Sequence, residues 1–359
     1  MKKLLCIFLI WGIFAQLCCA ISAESYALYD VFKGEFIAGE NMDKHMLFAS
    51  TTKIMTALVA LELYDVEEIV KIKREWTGVE GSSMYLKPDE EVSVKALLYG
   101  LLMASGNDAA VALASLHTGK QEDFVTLMNA RAIGIGAQST FFENPNGLDG
   151  KNHLTTAHDL ALITAEAMKN ETFREIVATT AIEIEGRFFS NHNKLLKMDD
   201  SIIGVKTGYT RKAGRCLVSC ADKGGRQYIA VTLKAPDDWD DHLSLYEKYA
   251  KTAEIAQAVD ENFCMNIPVI GEKQMTVSVV AEKTVSLPII EGETVKTVVF
   301  GPRFIYNTAA KGEKYGEMHI YVDDKLIEKV RLVYAQDVEN TPTKRNIFNI
   351  WEILKSFRK

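Results

Sequence analysis

The chain has 359 residues, 48% of them apolar and 25% charged, with a formal charge of −7. That length exceeds what one compact core usually holds, so two domains are expected. The composition excludes a disordered chain and a multi-spanning membrane protein, and there is no basic excess of the kind nucleic-acid binding needs.

In chain order, the first segment reads as a leader. Lys2 and Lys3 precede an apolar run over residues 4–14, and small residues follow at Ala20, Ser22 and Ala23. This pattern predicts a secretory signal over residues 1–23, its apolar part too short for a comfortable membrane span. An uncleaved anchor is the competing reading. Losing Lys2 and Lys3 takes the charge from −7 to −9. Three of the six cysteines go with the leader, leaving Cys216, Cys220 and Cys264, an odd set without Cys-x-x-Cys spacing. Cys216 and Cys220, four apart on one strand, would sit about 13 Å from each other, too far to bridge.

Residues 26–31 and 35–38 flank Lys33-Gly34 and predict a hairpin. A helix is expected over 50–63, with Ile54, Met55, Leu58, Val59 and Leu61 on a wide apolar face, and a second over 94–103. That one stops at Ser105-Gly106, after which Asp108 is positioned to cap the next helix. A further helix is expected over 124–135, and Thr156 to Asp159 has capping-box spacing ahead of a helix over 160–168. From residue 203 to 234 the pattern turns to strands, and a long helix is expected over 237–263. Beyond Cys264, short alternating runs over 275–280, 284–289, 294–300, 318–322 and 329–334 predict a small all-β domain. In the tail, over 343–359, Ile347, Phe348, Ile350, Trp351, Leu354 and Phe357 share one helical face among basic residues. That describes a helix lying on a membrane surface, against the plainer reading of a terminal helix packed on the β domain.

Three short motifs carry chemistry: Ser50-Thr51-Thr52-Lys53, Ser105-Gly106-Asn107 and Lys206-Thr207-Gly208. Each alone is weak, and a second Ser-x-x-Lys at Ser356 to Lys359 shows how such a pattern arises by chance. On a helix's first turn, Ser50 and Lys53 share a face, near free backbone N–H groups and a partial positive charge. A serine hydroxyl needs a base. Lys53 serves if burial and a second cation, Lys206, lower its pKa. Ser105 can relay a proton, and Asn107 can hold Lys53 or a substrate amide. Gly208 leaves a strand open to a close ligand that adds as a β-strand. Lys206 and Thr207 then meet a terminal carboxylate, while the backbone N–H groups of Ser50 and Tyr209 receive the oxyanion. The bland alternatives are a helix–helix turn at Gly106 and a strand glycine at Gly208. No Gly-x-Ser-x-Gly and no His-Glu-x-x-His occurs. His153 and His158 read as capping or structural, and His192, between Asn191 and Asn193, as part of a hydrogen-bonded loop beside the cleft.

The order of these motifs and the text around them resemble the low-molecular-mass penicillin-binding proteins, the serine-type D-alanyl-D-alanine carboxypeptidases. The matching text includes Ser83-Met84-Tyr85-Leu86-Lys87-Pro88, Ser105-Gly106-Asn107-Asp108-Ala109-Ala110, Asn144-Pro145-Asn146-Gly147-Leu148 and Gly204-Val205-Lys206-Thr207-Gly208-Tyr209-Thr210. The resemblance implies an α+β fold, a β-lactamase/transpeptidase-like helical cluster on an antiparallel sheet, over residues 24–263. The β domain (264–342) and the amphipathic helix (343–359) match the family's C-terminal parts more loosely. It implies catalytic Ser50, Lys53, Ser105 and Asn107, substrate-binding Lys206, Thr207 and Gly208, and no metal or other cofactor. The expected substrates are peptidoglycan stem peptides, with β-lactams as covalent inhibitors. The expected location is the outer face of the cytoplasmic membrane, the wall or the periplasm. A serine β-lactamase, a D,D-endopeptidase and a catalytically silent wall-binding protein are the alternatives. Two departures stand out. Phe48 occupies a position where the family often has proline, and the stretch from Ala235 to Asp241 lacks the arginine with which some members bind the substrate carboxylate. Arg211 and Arg215 are the candidate replacements.

Overall fold

Alternating side chains and Gly34 at φ +63° give a hairpin of β1 (Ser25–Asp30) and β2 (Glu35–Glu40), as expected. The computed structural model describes residues 21–270, 276–306 and 308–338. Most of the expected leader and the whole amphipathic tail, with its second Ser-x-x-Lys, lie outside the described residues. The chain divides into two units, one holding Phe36–Ala221 and Ile229–Ala250 with the residues up to Tyr29, the other holding Asp30–Glu35, Asp222–Tyr228 and the residues from Lys251 on.

After the hairpin the first unit continues with a 3₁₀ turn at Ala49–Thr52, α1 (Lys53–Leu63), β3 (Ile69–Lys71), β4 (Glu91–Ser93), α2 (Val94–Leu102), α3 (Asn107–Leu116) and α4 (Gln121–Ile135). It then forms α5 (Ala157–Ala167), α6 (Glu171–Ala178), a hairpin of β5 (Ala181–Ile184) and β6 (Arg187–Ser190), three long strands β7 (Ile202–Thr210), β8 (Gly214–Asp222) and β9 (Gln227–Leu233), and α7 (Asp238–Tyr249). The sheet order is β2-β1-β9-β8-β7, which leaves β7 at an edge. Helix α1 is buried on every side from Lys53 to Ala60, as befits the central helix of a cluster, and it packs against α2, α3, α4 and α5. Burying each of Ile54, Met55, Leu58 and Val59 is worth about 1.5–3 kcal/mol. Cys216 and Cys220 are buried on β8.

Three local expectations are corrected. The helix expected from Ser50 begins as a 3₁₀ turn and becomes α-helical only at Lys53. The cap of α3 is Gly106, while the Asp108 carboxylate instead accepts from Ser83 Oγ (2.6 Å) and the Met84 and Leu86 N–H groups (3.0 and 3.1 Å). The helix expected over 237–263 stops at Tyr249, and Glu254–Val259 forms β10. Pairing of β10 with β13 (Val285–Ile289) takes up these residues, an instance of tertiary pairing overriding local preference. At α5 the expectation holds, since Thr156 Oγ1 accepts from the Asp159 N–H.

The second unit is the expected all-β body. Its five-stranded sheet runs β11-β12-β16-β15-β14, from β11 (Cys264–Pro268), β12 (Thr276–Ala281), β14 (Val295–Phe300), β15 (Lys314–Val322) and β16 (Lys325–Tyr334). Asp323 and Asp324, both at positive φ, close the β15–β16 hairpin as a two-residue turn that follows the strand twist. Val277, Val279, Ile320, Val330 and Leu332 are fully buried in its core. Within this unit Arg226 donates to Asp30 Oδ2 (2.5 and 2.9 Å) and to both Glu293 oxygens (2.7 and 2.9 Å), all three side chains being at most 5% exposed. No helix among the described residues is long and apolar enough to cross a membrane.

Candidate active site

Ser50, Ser105, Thr207, Gly208 and Tyr209 line one pocket of about 300 Å³. Three elements deliver them: the 3₁₀ turn ahead of α1, the α2–α3 link, and the edge strand β7. In a 3₁₀ turn residues three apart eclipse, so this irregular helix start stacks Ser50 over Lys53. Lys53 Nζ lies 3.0 Å from Ser50 Oγ, 2.7 Å from Asn107 Oδ1 and 2.5 Å from the Asn146 carbonyl oxygen. Lys53 is fully buried, and among the described residues no carboxylate pairs with it. Burial, and then the Lys206 charge, hold its pKa well below the ordinary lysine range.

An ammonium group donates to all three of these oxygens, and a neutral amine can satisfy the same three partners in a different way. An NH₂ group has two hydrogens and one lone pair. In that neutral form both hydrogens go to pure acceptors, the Asn107 amide oxygen and the Asn146 carbonyl, and the lone pair faces the Ser50 hydroxyl. Lys206 is 1% exposed and donates to the Thr207 carbonyl (2.9 Å), and burial alone brings its pKa down to about 7.

The backbone ahead of Ser50 is tightly enclosed. Ala49 has φ +47° and Ser105 φ +60°, left-handed conformations that cost an L-residue about 1–2 kcal/mol each. A Cβ on Gly208 would lie 3.0 Å from the Ser50 nitrogen, and one on Gly147 would lie 2.1 Å from the Ala49 oxygen. Glycine is required at Gly147 by close approach and by φ +87°, whereas a side chain at Gly208 would press tightly on the backbone around Ser50.

The structure brings the expected Ser50, Lys53, Asn107, Ser105, Thr207, Gly208 and Tyr209 around one pocket, with Lys206 near enough for its charge to act on Lys53. The sequence reading missed Asn146, whose carbonyl accepts from Lys53 Nζ, and Glu80, whose carbonyl accepts from Asn107 Nδ2 (2.5 Å). That bond occupies the amide nitrogen, so Asn107 holds Lys53 through its oxygen. It also missed Gly147, Thr52 and His153. Backbone carbonyls leave no mark in sequence, but Asn144-Pro145-Asn146-Gly147 is a turn signal that could have placed this loop. Of the two candidate arginines, Arg211 is exposed, whereas Arg215 lines the Ser50 pocket. Arg215 is cross-strand from Tyr209, bonded through Nε and Nη2 to the buried Asp238 (3.0 and 2.5 Å), and lies over the Trp239 ring. His192 lines the same pocket. A rival serine–histidine pair, Ser219 Oγ and His242 Nδ1 at 2.6 Å, is wholly buried and closed to any substrate.

The D-alanyl-D-alanine carboxypeptidase family model matches residues 14–237, and that of the penicillin-binding protein 5 C-terminal domain matches residues 251–340. The chain is 35% identical to D-alanyl-D-alanine carboxypeptidase DacF of Bacillus subtilis, over 60% of this chain and 58% of the relative. It is 34% identical to DacB2 of Mycobacterium tuberculosis, over 63% and 81%. The matched region thus spans less than two thirds of DacF. Among solved structures, penicillin-binding protein 5 of Haemophilus influenzae superposes with a TM-score of 0.68 at 27% identity, over 89% of this chain and 98% of that one. The β-lactamase/transpeptidase-like fold and the C-terminal β body are thereby established, and the chain belongs to the D-alanyl-D-alanine carboxypeptidase family of low-molecular-mass penicillin-binding proteins.

Proposed function

We propose that this chain is a serine D-Ala-D-Ala carboxypeptidase that removes the terminal D-alanine from peptidoglycan stem peptides and is acylated by β-lactams. The observation that carries this reading is the 3.0 Å contact between Ser50 Oγ and a buried lysine amine whose other two partners are both acceptors. Lys53 takes the Ser50 proton as Oγ attacks the carbonyl of the penultimate D-alanine. The oxyanion forms between the N–H groups of Ser50 and Tyr209. Ser105 relays that proton from Lys53 to the leaving nitrogen, terminal D-alanine departs, and water, deprotonated by Lys53 now neutral again, hydrolyses the acyl-enzyme. The edge position of β7 supports binding of the peptide as an added strand. Its terminal carboxylate meets Lys206, Thr207 and Arg215, the last replacing the arginine that the stretch 235–241 lacks.

The test is product mass from a pentapeptide ending in D-Ala-D-Ala. Wild type is expected to shorten it by one alanine and Ser50→Ala to leave it intact; equal release by both proteins contradicts the assignment. We further propose that residues 1–23 direct export and that 264–342 and 343–359 follow the catalytic body of 24–263 as a β domain and a membrane-surface helix. Deleting 343–359 is expected to move the protein from the membrane pellet to the supernatant without changing peptide cleavage. Unchanged sedimentation counts against the anchor.

A further inference from the structure

The residue before the nucleophile sits in a conformation that it would not choose by itself, and a chain of hydrogen bonds ends on it. Thr52 Oγ1 donates to the Ala49 carbonyl (2.8 Å), and the same oxygen lies 2.8 Å from His153 Nε2. The direction of that second bond is set at the far side of the ring. The Glu143 N–H donates to His153 Nδ1 (3.0 Å), so Nδ1 carries no proton and Nε2 does. His153 Nε2–H therefore donates to Thr52, and the only hydrogen of the Thr52 hydroxyl is left for Ala49. The order is Glu143 N–H to His153, His153 to Thr52, Thr52 to the Ala49 carbonyl, with every link buried or nearly so. Burial and the nearby Lys53 hold the His153 pKa down to about 4, which keeps the ring neutral and in this one tautomer at neutral pH.

The ring is itself clamped. His153 stacks on Phe48 with centroids 4.6 Å apart and planes 4° from parallel, and the edge of Phe142 closes a second side. Phe48 has φ −130°, outside the range a proline ring can adopt. The stiffness that a proline would lend this position is supplied here by a side-chain stack.

We propose that His153, acting through Thr52, is the positioning residue that locks the Ala49 bend and so aims the Ser50 N–H and Oγ into the cleft, with Phe48 as the clamp that holds His153. This deepens the reading of Ser50 as nucleophile and rests on it. Neither His153 nor Thr52 touches substrate. Their effect is on where the reacting atoms lie, and a misplacement of about an ångström there costs on the order of 100-fold in rate.

Thr52→Val keeps the shape and removes only the hydroxyl, and Thr52→Ser keeps the hydroxyl. The readouts are the acylation rate constant with benzylpenicillin per folded molecule, and the affinity for a D-alanine-like boronic acid, which engages Ser50 as a tetrahedral adduct. Thr52→Val is expected to slow acylation roughly 10- to 100-fold and to weaken the boronate by a similar factor, with KM for the peptide within about twofold. Thr52→Ser should stay within about threefold of wild type. Should Thr52→Val not fold, His153→Phe retains the stack on Phe48 and removes the Nε2–H donor, and it carries the same expectation. Acylation at the wild-type rate in these variants, even with a lowered melting temperature, overturns the proposal. So does equal slowing in Thr52→Ser, which would make the effect one of shape. The wild-type adduct is mapped first: an adduct away from Ser50 defeats the nucleophile assignment, whereas an adduct on Ser50 with unaffected variants defeats only the relay.

Discussion

Each of the two units buries cations, and they treat them in opposite ways. In the second unit Arg226 is enclosed by Asp30 and Glu293, with four donor contacts between 2.5 and 2.9 Å. The carboxylates outweigh the cost of burial, so its pKa is raised and the charge is permanent. In the first unit Lys53 and Lys206 are as deeply buried, but among the described residues neither has an ion-pair partner. Both pKa values fall in consequence. Burial alone does not tell a structural cation from a chemical one. Pairing does: a buried cation among its counter-charges stays ionised and is costly to unpair, and a buried amine without them is pushed toward its neutral form.

Isosteric removal of each cation tests this contrast. Lys53→Met is expected to give the largest effect, a loss of about 10²–10⁴ in acylation rate, with a smaller stability loss than Arg226→Met, because a buried amine without a counter-charge goes while the Asn107 and Asn146 oxygens lose their donor. Arg226→Met should do the reverse. It leaves the buried Asp30 without its guanidinium partner and Glu293 with Lys33 alone (3.2 Å), a loss of about 3–5 kcal/mol in stability, with acylation per folded molecule unchanged. Calorimetry and acylation kinetics on both variants check the pair. If Lys53→Met destabilised the protein as much as Arg226→Met does, the first lysine would be structural and the contrast would fail.

Much of the fold was legible because helix and strand periods are local. The apolar faces of α1 and α2, the Thr156 cap and the alternating strands of the β body needed no partner to be recognised. The failures came where a distant segment decides. Residues 254–259 become β10 because residues 285–289 pair with them. Helix α6 was overlooked although Asn170 caps it, accepting from the Phe173 N–H. Within the site, the motif residues were readable by type and spacing, and the structure adds what spacing cannot hold. Asn146 reaches Lys53 from 93 positions away through a backbone carbonyl. His153 reaches Thr52 across 101. Phe48 read as the loss of a rigid residue, and only the position of the His153 ring reveals how that rigidity is replaced.

The central claim, that Lys53 is a neutral amine able to take the Ser50 proton at physiological pH, is tested most directly by the pH dependence of kcat/KM for acylation. The base works when unprotonated, so activity rises with pH through the Lys53 pKa. Lys206 must keep its proton to attract the substrate carboxylate, so activity falls as pH passes the Lys206 pKa, at about 7 in the free enzyme. The expected profile is a bell whose rising limb is complete before alkaline pH and whose falling limb starts near neutrality, the two limbs belonging to the coupled pair. A rate that keeps climbing to about pH 10, as an ordinary lysine would require, contradicts the account.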